Sequence, residues 1–116
     1  KDSGENWSEA QLITNEHKNV HDATLFYRPD GNVDIYYIHP MAEWRGFSLF
    51  RRCIKTDLSM GPAELIIEKE IGSTIAPSVS KLTDKSNLVT FIEQTSGYNP
   101  YALVVNGNAN CDWFLL

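Results

Sequence analysis

The residues Trp7-Ser8-Glu9-Ala10-Gln11-Leu12-Ile13 return fifty-three positions later as Met60-Gly61-Pro62-Ala63-Glu64-Leu65-Ile66, and the same step taken again reaches Trp113. A fixed period constrains a fold more than local propensity does, because each repeat must be a supersecondary unit that buries its apolar face against a neighbour. Other segments keep nearly the same step. Ala23-Thr24-Leu25 followed by Pro29-Asp30-Gly31 meets Pro77-Ser78-Val79 followed by Thr83-Asp84-Lys85, and Phe47-Ser48-Leu49-Phe50 meets Tyr101-Ala102-Leu103-Val104. The 116 residues therefore hold two periods as a single module over 1–116, with Trp7, Met60 and Trp113 marking the phase.

Within each period the apolar residues recur at every second position, the spacing of a strand with one face inward. This pattern predicts strands over 10–13, 23–27, 33–38, 47–54, 63–68, 77–82, 88–93 and 101–105, and no helix. Pro29-Asp30-Gly31-Asn32 and Asp84-Lys85-Ser86-Asn87 stand between strands as turns, Pro fixing φ and Gly supplying positive φ. The expectation is an all-β fold of two four-stranded antiparallel repeats. Units of this size are those of β-propeller blades.

Asp2-Ser3-Gly4-Glu5-Asn6-Trp7 matches the later part of the Asp-box, or BNR repeat, S/T-x-D-x-G-x-x-W. A degenerate copy runs from Asn106 to Trp113, with Asn108 in the Asp place and Asn110 in the Gly place, while Lys55 to Met60 has lost the signature. On these motifs the chain resembles the sialidase-like β-propeller superfamily. The resemblance implies that Asp2 caps backbone N–H groups, that Gly4 takes positive φ, and that the Trp7 and Trp113 rings pack between sheets. Ile75-Ala76-Pro77-Ser78-Val79, followed by Leu88 to Glu93, also resembles the opening strands of sialidases. The family's substrate-gripping Arg falls here on Ile75, and in the other repeat on His21. Neither side chain forms the bidentate charge-assisted pair that Arg makes with a carboxylate. The family's arginine triad, acid/base Asp and nucleophile are therefore not carried over, and hydrolysis by this chain alone is not expected.

Two blades do not close a ring, since propellers use about four to eight. Closure then needs further sequence or self-association, a trimer giving six blades being favoured over a dimer giving four. A leftover strand such as 7–13 could complete the blade of a neighbouring copy.

The candidate ligand face is the one onto which the blade-joining and central loops open. Asn19-Val20-His21-Asp22, His39-Pro40-Met41-Ala42-Glu43-Trp44-Arg45-Gly46 and Ser96-Gly97-Tyr98-Asn99-Pro100 supply it. Aromatic rings offer platforms to sugar C–H edges, and the polar side chains can bond hydroxyls. His21, Asp22, His39, Glu43, Trp44, Arg45, Glu93 and Tyr98 are the ligand-binding candidates, with a glycan or glycoconjugate as the expected partner. The alternatives are a glycoside hydrolase or polysaccharide lyase on the same fold, and a protein-binding scaffold. Of Arg51 and Arg52, one is expected at the surface and the other paired with an acid.

A net charge of -5 repels polyphosphate, so nucleic acid is not expected as a partner. No apolar run reaches the roughly 18 residues of a membrane helix. Cys53 and Cys111 fit two buried apolar thiols, one bridge or, with no activating neighbour in sequence, a functional thiol, in falling order of expectation. The three histidines, at 17, 21 and 39, lack metal-ligand spacing, and no metal or cofactor is expected. The superfamily is often exported, which makes an extracellular or periplasmic location the expectation.

Overall fold

The computed structural model describes residues 4–14, 20–41, 45–83, 85–107 and 113–115. They form two four-stranded antiparallel sheets, each a meander in which every strand pairs with its neighbour in sequence. Sheet 1 holds β1 (His21–Tyr27), β2 (Val33–Pro40), β3 (Phe47–Ile54) and β4 (Glu64–Lys69). Sheet 2 holds β5 (Ser73–Thr83), β6 (Ser86–Gln94), β7 (Tyr98–Gly107) and β8 (Trp113–Leu115).

Two expectations about the strands are corrected. Residues 10–13 form no strand: the segment finds no ladder among the described residues, and isolated strands are not stable in water. Trp113–Leu115, outside the expected set, does pair, with Val105–Gly107. The periodicity is nonetheless carried into the ladders. Trp113 pairs with Gly107 as Met60 bridges Ile54, both partners displaced by fifty-three positions.

The turns follow their residues. Gly31 takes φ +88°, and Asp30 Oδ1 accepts from the N–H of Asn32 at 3.0 Å, an Asx turn that closes the β1–β2 hairpin. Residues 55–60, which carry no Asp-box signature, make a related turn by other means. The Asp57 carboxylate accepts from the Ser59 N–H at 2.9 Å and from its hydroxyl at 2.6 Å, which holds the Asp57 carboxyl below its usual range. The positive φ of this turn falls on Leu58, at 69°.

The sheets meet through one face of each. Tyr36, Ile38, Phe47, Leu49 and Ile66 of sheet 1 pack against Val89, Phe91 and Val105 of sheet 2. Phe91 stands at the centre, edge-on to Phe47 with centroids 5.8 Å apart and stacked on Tyr101 at 5.5 Å. The two sheets come closest, backbone to backbone, at β1 and β5. The other face of sheet 2 stays open, with Ile92 43% exposed and Thr90 and Ala102 exposed beside it.

One end of sheet 1 encloses an ionic cluster. Asp34 Oδ1 lies 3.2 Å from Arg51 Nη1 and 3.5 Å from Arg28 Nη1, and Arg51 reaches on to Glu64 of β4. Arg51 is thus the arginine paired with acids. Arg52, the other of the two, is half-buried rather than at the surface, donating to the Gly61 carbonyl at 2.8 Å and to the Ile13 carbonyl. Burial outweighs both guanidinium groups and pushes the Asp34 carboxyl up to about 6. Cys53, on the neighbouring ladder position, is buried and disulfide-bonded, so the reading of two free buried thiols does not hold. The sequence's other cysteine, Cys111, lies outside the described residues.

Candidate functional site

The hairpin register decides which loops share an end of the molecule. β1, β3, β5 and β7 all begin where β2, β4 and β6 finish, and Lys69 at the end of β4 meets Glu93 near the end of β6. The start of β1, the β2–β3 loop, the β4–β5 turn and the β6–β7 loop therefore open together. Every ligand-binding candidate belongs to these segments.

Several expected loop residues lie in strands instead. His39 and Pro40 finish β2, pairing with Ser48 and Phe47, and Tyr98, Asn99 and Pro100 open β7. The loop between β6 and β7 shrinks to Thr95–Gly97, tied by the Thr95 N–H to the Gly97 carbonyl at 2.9 Å. Tyr98 is 68% exposed at the rim, and its hydroxyl accepts from Gln94 Nε2 at 3.4 Å. The ring is therefore presented by a strand rather than a loop, a more rigid mounting for a platform.

Asp22 is exposed with φ 52°, in the irregular step between His21 and Thr24 where β1 slips against β2. Asp tolerates the left-handed region better than most residues, and such a bulge turns a side chain out of the ladder's alternation. His21 opens β1 opposite Ile38, and Ile75 lies in β5 opposite Ile92; their side chains fall outside the described part. His39 is half-buried and Arg45 exposed. Glu43 and Trp44, in the β2–β3 loop, lie outside the described residues, as do Asp2, Asn108 and Asn110.

Glu93 differs most from a loop residue. It continues the inward row Asn87, Val89, Phe91, all buried, and sits in the seam between the sheets. Its Oε2 lies 3.7 Å from Lys69 Nζ, which also stands 4.7 Å above the Tyr101 ring. Thr74, directly opposite Glu93 on β5, is buried, and its hydroxyl finds no hydrogen bond among the described residues. Lys69, Thr74 and Tyr101 were not among the sequence candidates. The signal was present for Glu93, since its parity with Val89 and Phe91 marks the inner face.

Two glycines let this end close. A Cβ on Gly72, which has φ +89°, would come 2.8 Å from the Gln94 carbonyl oxygen, and one on Gly46 would strike the Lys69 carbonyl. The β4–β5 turn can thus lie against the end of β6, and the β2–β3 loop against the end of β4. The assembled end carries an exposed tyrosine, an outward Asp and Arg, and a lysine–glutamate pair beneath them. Among the described residues no group of His, Cys, Asp and Glu is arranged to hold a metal.

Gly4 has φ +83°, as the Asp-box turn implies. Trp7 is 87% exposed among the described residues, against the packing that the resemblance implies. No protein-family model matches the chain, and no curated protein or solved structure matches it.

Proposed function

We propose that the chain is a carbohydrate-recognition module of sialidase-like propeller type, built from two blades and assembled by self-association, without hydrolytic activity of its own. The observation that carries the reading is the convergence of Asp22, His39, Arg45, Gln94 and Tyr98 at one end of both sheets, around the close approach of β1 and β5. An exposed ring beside an amide, with a carboxylate and a guanidinium exposed at the same end of the molecule, is a suitable set for a polyhydroxylated ligand. The ring faces C–H edges, and the polar groups bond hydroxyls in fixed orientation.

The propeller reading draws on the meander order repeated in both sheets and on a period preserved in the pairing of Met60 and Trp113. Glu93 in its buried pairing with Lys69 acts in this proposal as a support for the rim.

The test is a glycan array probed with the full chain, followed by calorimetry on the best binder. Saturable binding that leaves the glycan intact, weakened up to about tenfold by Tyr98→Ala with the melting temperature unchanged, is the expected result. Release of reducing ends would replace recognition by hydrolysis. Binding to no glycan would leave the protein scaffold as the surviving reading.

A further inference from the structure

At the rim end of the seam the chain holds one of its own ammonium groups against an acid and a ring. Lys69 Nζ lies 3.7 Å from Glu93 Oε2 and 4.7 Å from the centroid of the Tyr101 ring, over its face. A carboxylate beside an aromatic face is a pairing that recognises a cationic nitrogen, because the acid and the face both attract positive charge. The Tyr101 ring is also stacked on Phe91, which in turn stands edge-on to Phe47, so the platform is fixed by the core.

Lys69 does not satisfy the polar groups of this corner. At 3.7 Å its ammonium is too far from Oε2 for a hydrogen bond. Among the described residues, neither Glu93 Oε2 nor the hydroxyl of Thr74, opposite it on the β5–β6 ladder, has a hydrogen-bond partner. Both residues are more than nine-tenths buried, Thr74 being 4% and Glu93 9% exposed, and a buried acceptor without a donor is costly. Lys69 is different: its side chain is 31% exposed on a flexible four-carbon stem, and Tyr101 beneath it is 37% exposed. The ammonium can therefore turn out to solvent without unpacking the sheets.

We infer that Glu93, Thr74 and Tyr101 form a subsite for a sugar carrying a free primary amine, and that Lys69 is its built-in competitor. This rests on the carbohydrate reading above and narrows its ligand to hexosamine units that are not acetylated. Lys69 swings out, the sugar's ammonium takes its place over Tyr101, and the N–H groups donate to Glu93 Oε2 and to the Thr74 hydroxyl oxygen. An acetylated amine brings neither the charge nor the spare donors. Asp22 and Glu70, exposed at the same end, and the net charge of -5 favour a cationic ligand. Tyr98, whose ladder partner Gln94 follows Glu93, offers an exposed ring at this rim to the remainder of the glycan.

The test is calorimetry on the full chain at about pH 6, where sugar amines are charged, with a glucosamine tetramer and its fully N-acetylated counterpart. The amine tetramer should bind more tightly. Lys69→Met, which removes the competitor, should bind it about two- to fivefold more tightly still, whereas Glu93→Gln should weaken it about tenfold or more. Lys85→Met removes an equal charge at the opposite end of sheet 2 and should change nothing. A Lys69 that merely holds the seam predicts no gain, so unchanged or weaker binding by Lys69→Met overturns the subsite. Nuclear magnetic resonance of the Lys69 Nζ gives a readout on the unmodified chain: its signal should move to that of a solvent-exposed ammonium on saturation, and an unmoved signal overturns the inference. Binding of Nα-acetyl-lysine amide as tight as that of the tetramer overturns the assignment to a sugar. Preference for the acetylated tetramer, or for other glycans on the array alone, overturns this inference and leaves carbohydrate recognition standing, while binding to no glycan overturns both.

Discussion

Asp34 and Arg51 face each other on adjacent strands of sheet 1 at 3.2 Å, both without exposed surface. Two charges so placed have exchanged hydration for one another, and for the carboxylate the exchange is unfavourable: its pKa rises to about 6 from an ordinary 3.8. The folded state therefore binds the proton more tightly than the unfolded chain. Asp34's contribution is full below about pH 4 and declines as pH rises to about 6, by roughly 1–3 kcal/mol. Urea midpoints followed from pH 4 to 7 should show this downward component. Asp34→Asn, which keeps an acceptor oxygen for the two guanidinium groups but carries no proton to lose, should remove it, so that the variant gains stability relative to the unmodified chain as pH rises from 4 to 7. An unchanged slope in the variant would refute the assignment.

Leu58 holds a left-handed backbone that glycine adopts without cost. Its side chain is 52% exposed, so little packing is lost on truncation. Leu58→Gly should stabilise the chain by about 0.5–1 kcal/mol, read as a higher denaturation midpoint at unchanged slope. Asp57→Ala, which removes the acceptor for Ser59, should have the opposite sign.

Phe91 links the aromatic pair Phe47 and Tyr101 across the seam. Phe91→Ala should cost about 3–5 kcal/mol. Because the ring joins the sheets rather than strands within a sheet, the variant should also lose coincidence between tryptophan fluorescence and far-ultraviolet circular dichroism during unfolding. A single coincident transition would mean that the sheets do not depend on this contact for their docking.

The disulfide at Cys53 predicts that the native chain carries no reactive thiol after denaturation without reductant, and that peptide mapping finds Cys53 joined to Cys111. Cys53→Ala should lose about 2–4 kcal/mol. Two free thiols per chain would contradict it. Persistence of such a bridge fits an oxidising compartment.

The alternation of apolar and polar residues was enough to locate seven of the eight strands, because each has a face turned to a core, as in β6 where Asn87, Val89, Phe91 and Glu93 point inward. It failed at residues 10–13, where the pattern is that of a strand but the pairing partner is not within reach. It also shortened β5 and β7. Tyr98 to Pro100 has the turn residues of a loop and is held extended by the ladder with β6, while Ser73 to Ala76, although it contains the strand formers Thr74 and Ile75, lies outside the alternating run that begins at Pro77. At the candidate site, Tyr98 and Asp22 could be found as an aromatic and a carboxylate beside turn residues. Lys69 and Thr74 could not, since their role depends on Glu93 lying across a seam that no local window contains. Of Arg51 and Arg52 the sequence says only that one pairs with an acid; that it is Arg51, held between Asp34 and Glu64, is set by the strands on either side.

Each hydrogen-bonded ladder joins strands that are neighbours in sequence. During synthesis, then, a completed run from β1 to β4 has its backbone pairing in hand before any of the second sheet has emerged, and its loop-closure cost is that of short hairpins. What it lacks at that moment is cover for Tyr36, Ile38 and Leu49. The nascent chain passes through a stage at which order is local and solubility is not yet secured, and the interval lasts until β6 and β7 arrive to carry Val89, Phe91 and Val105 onto that face.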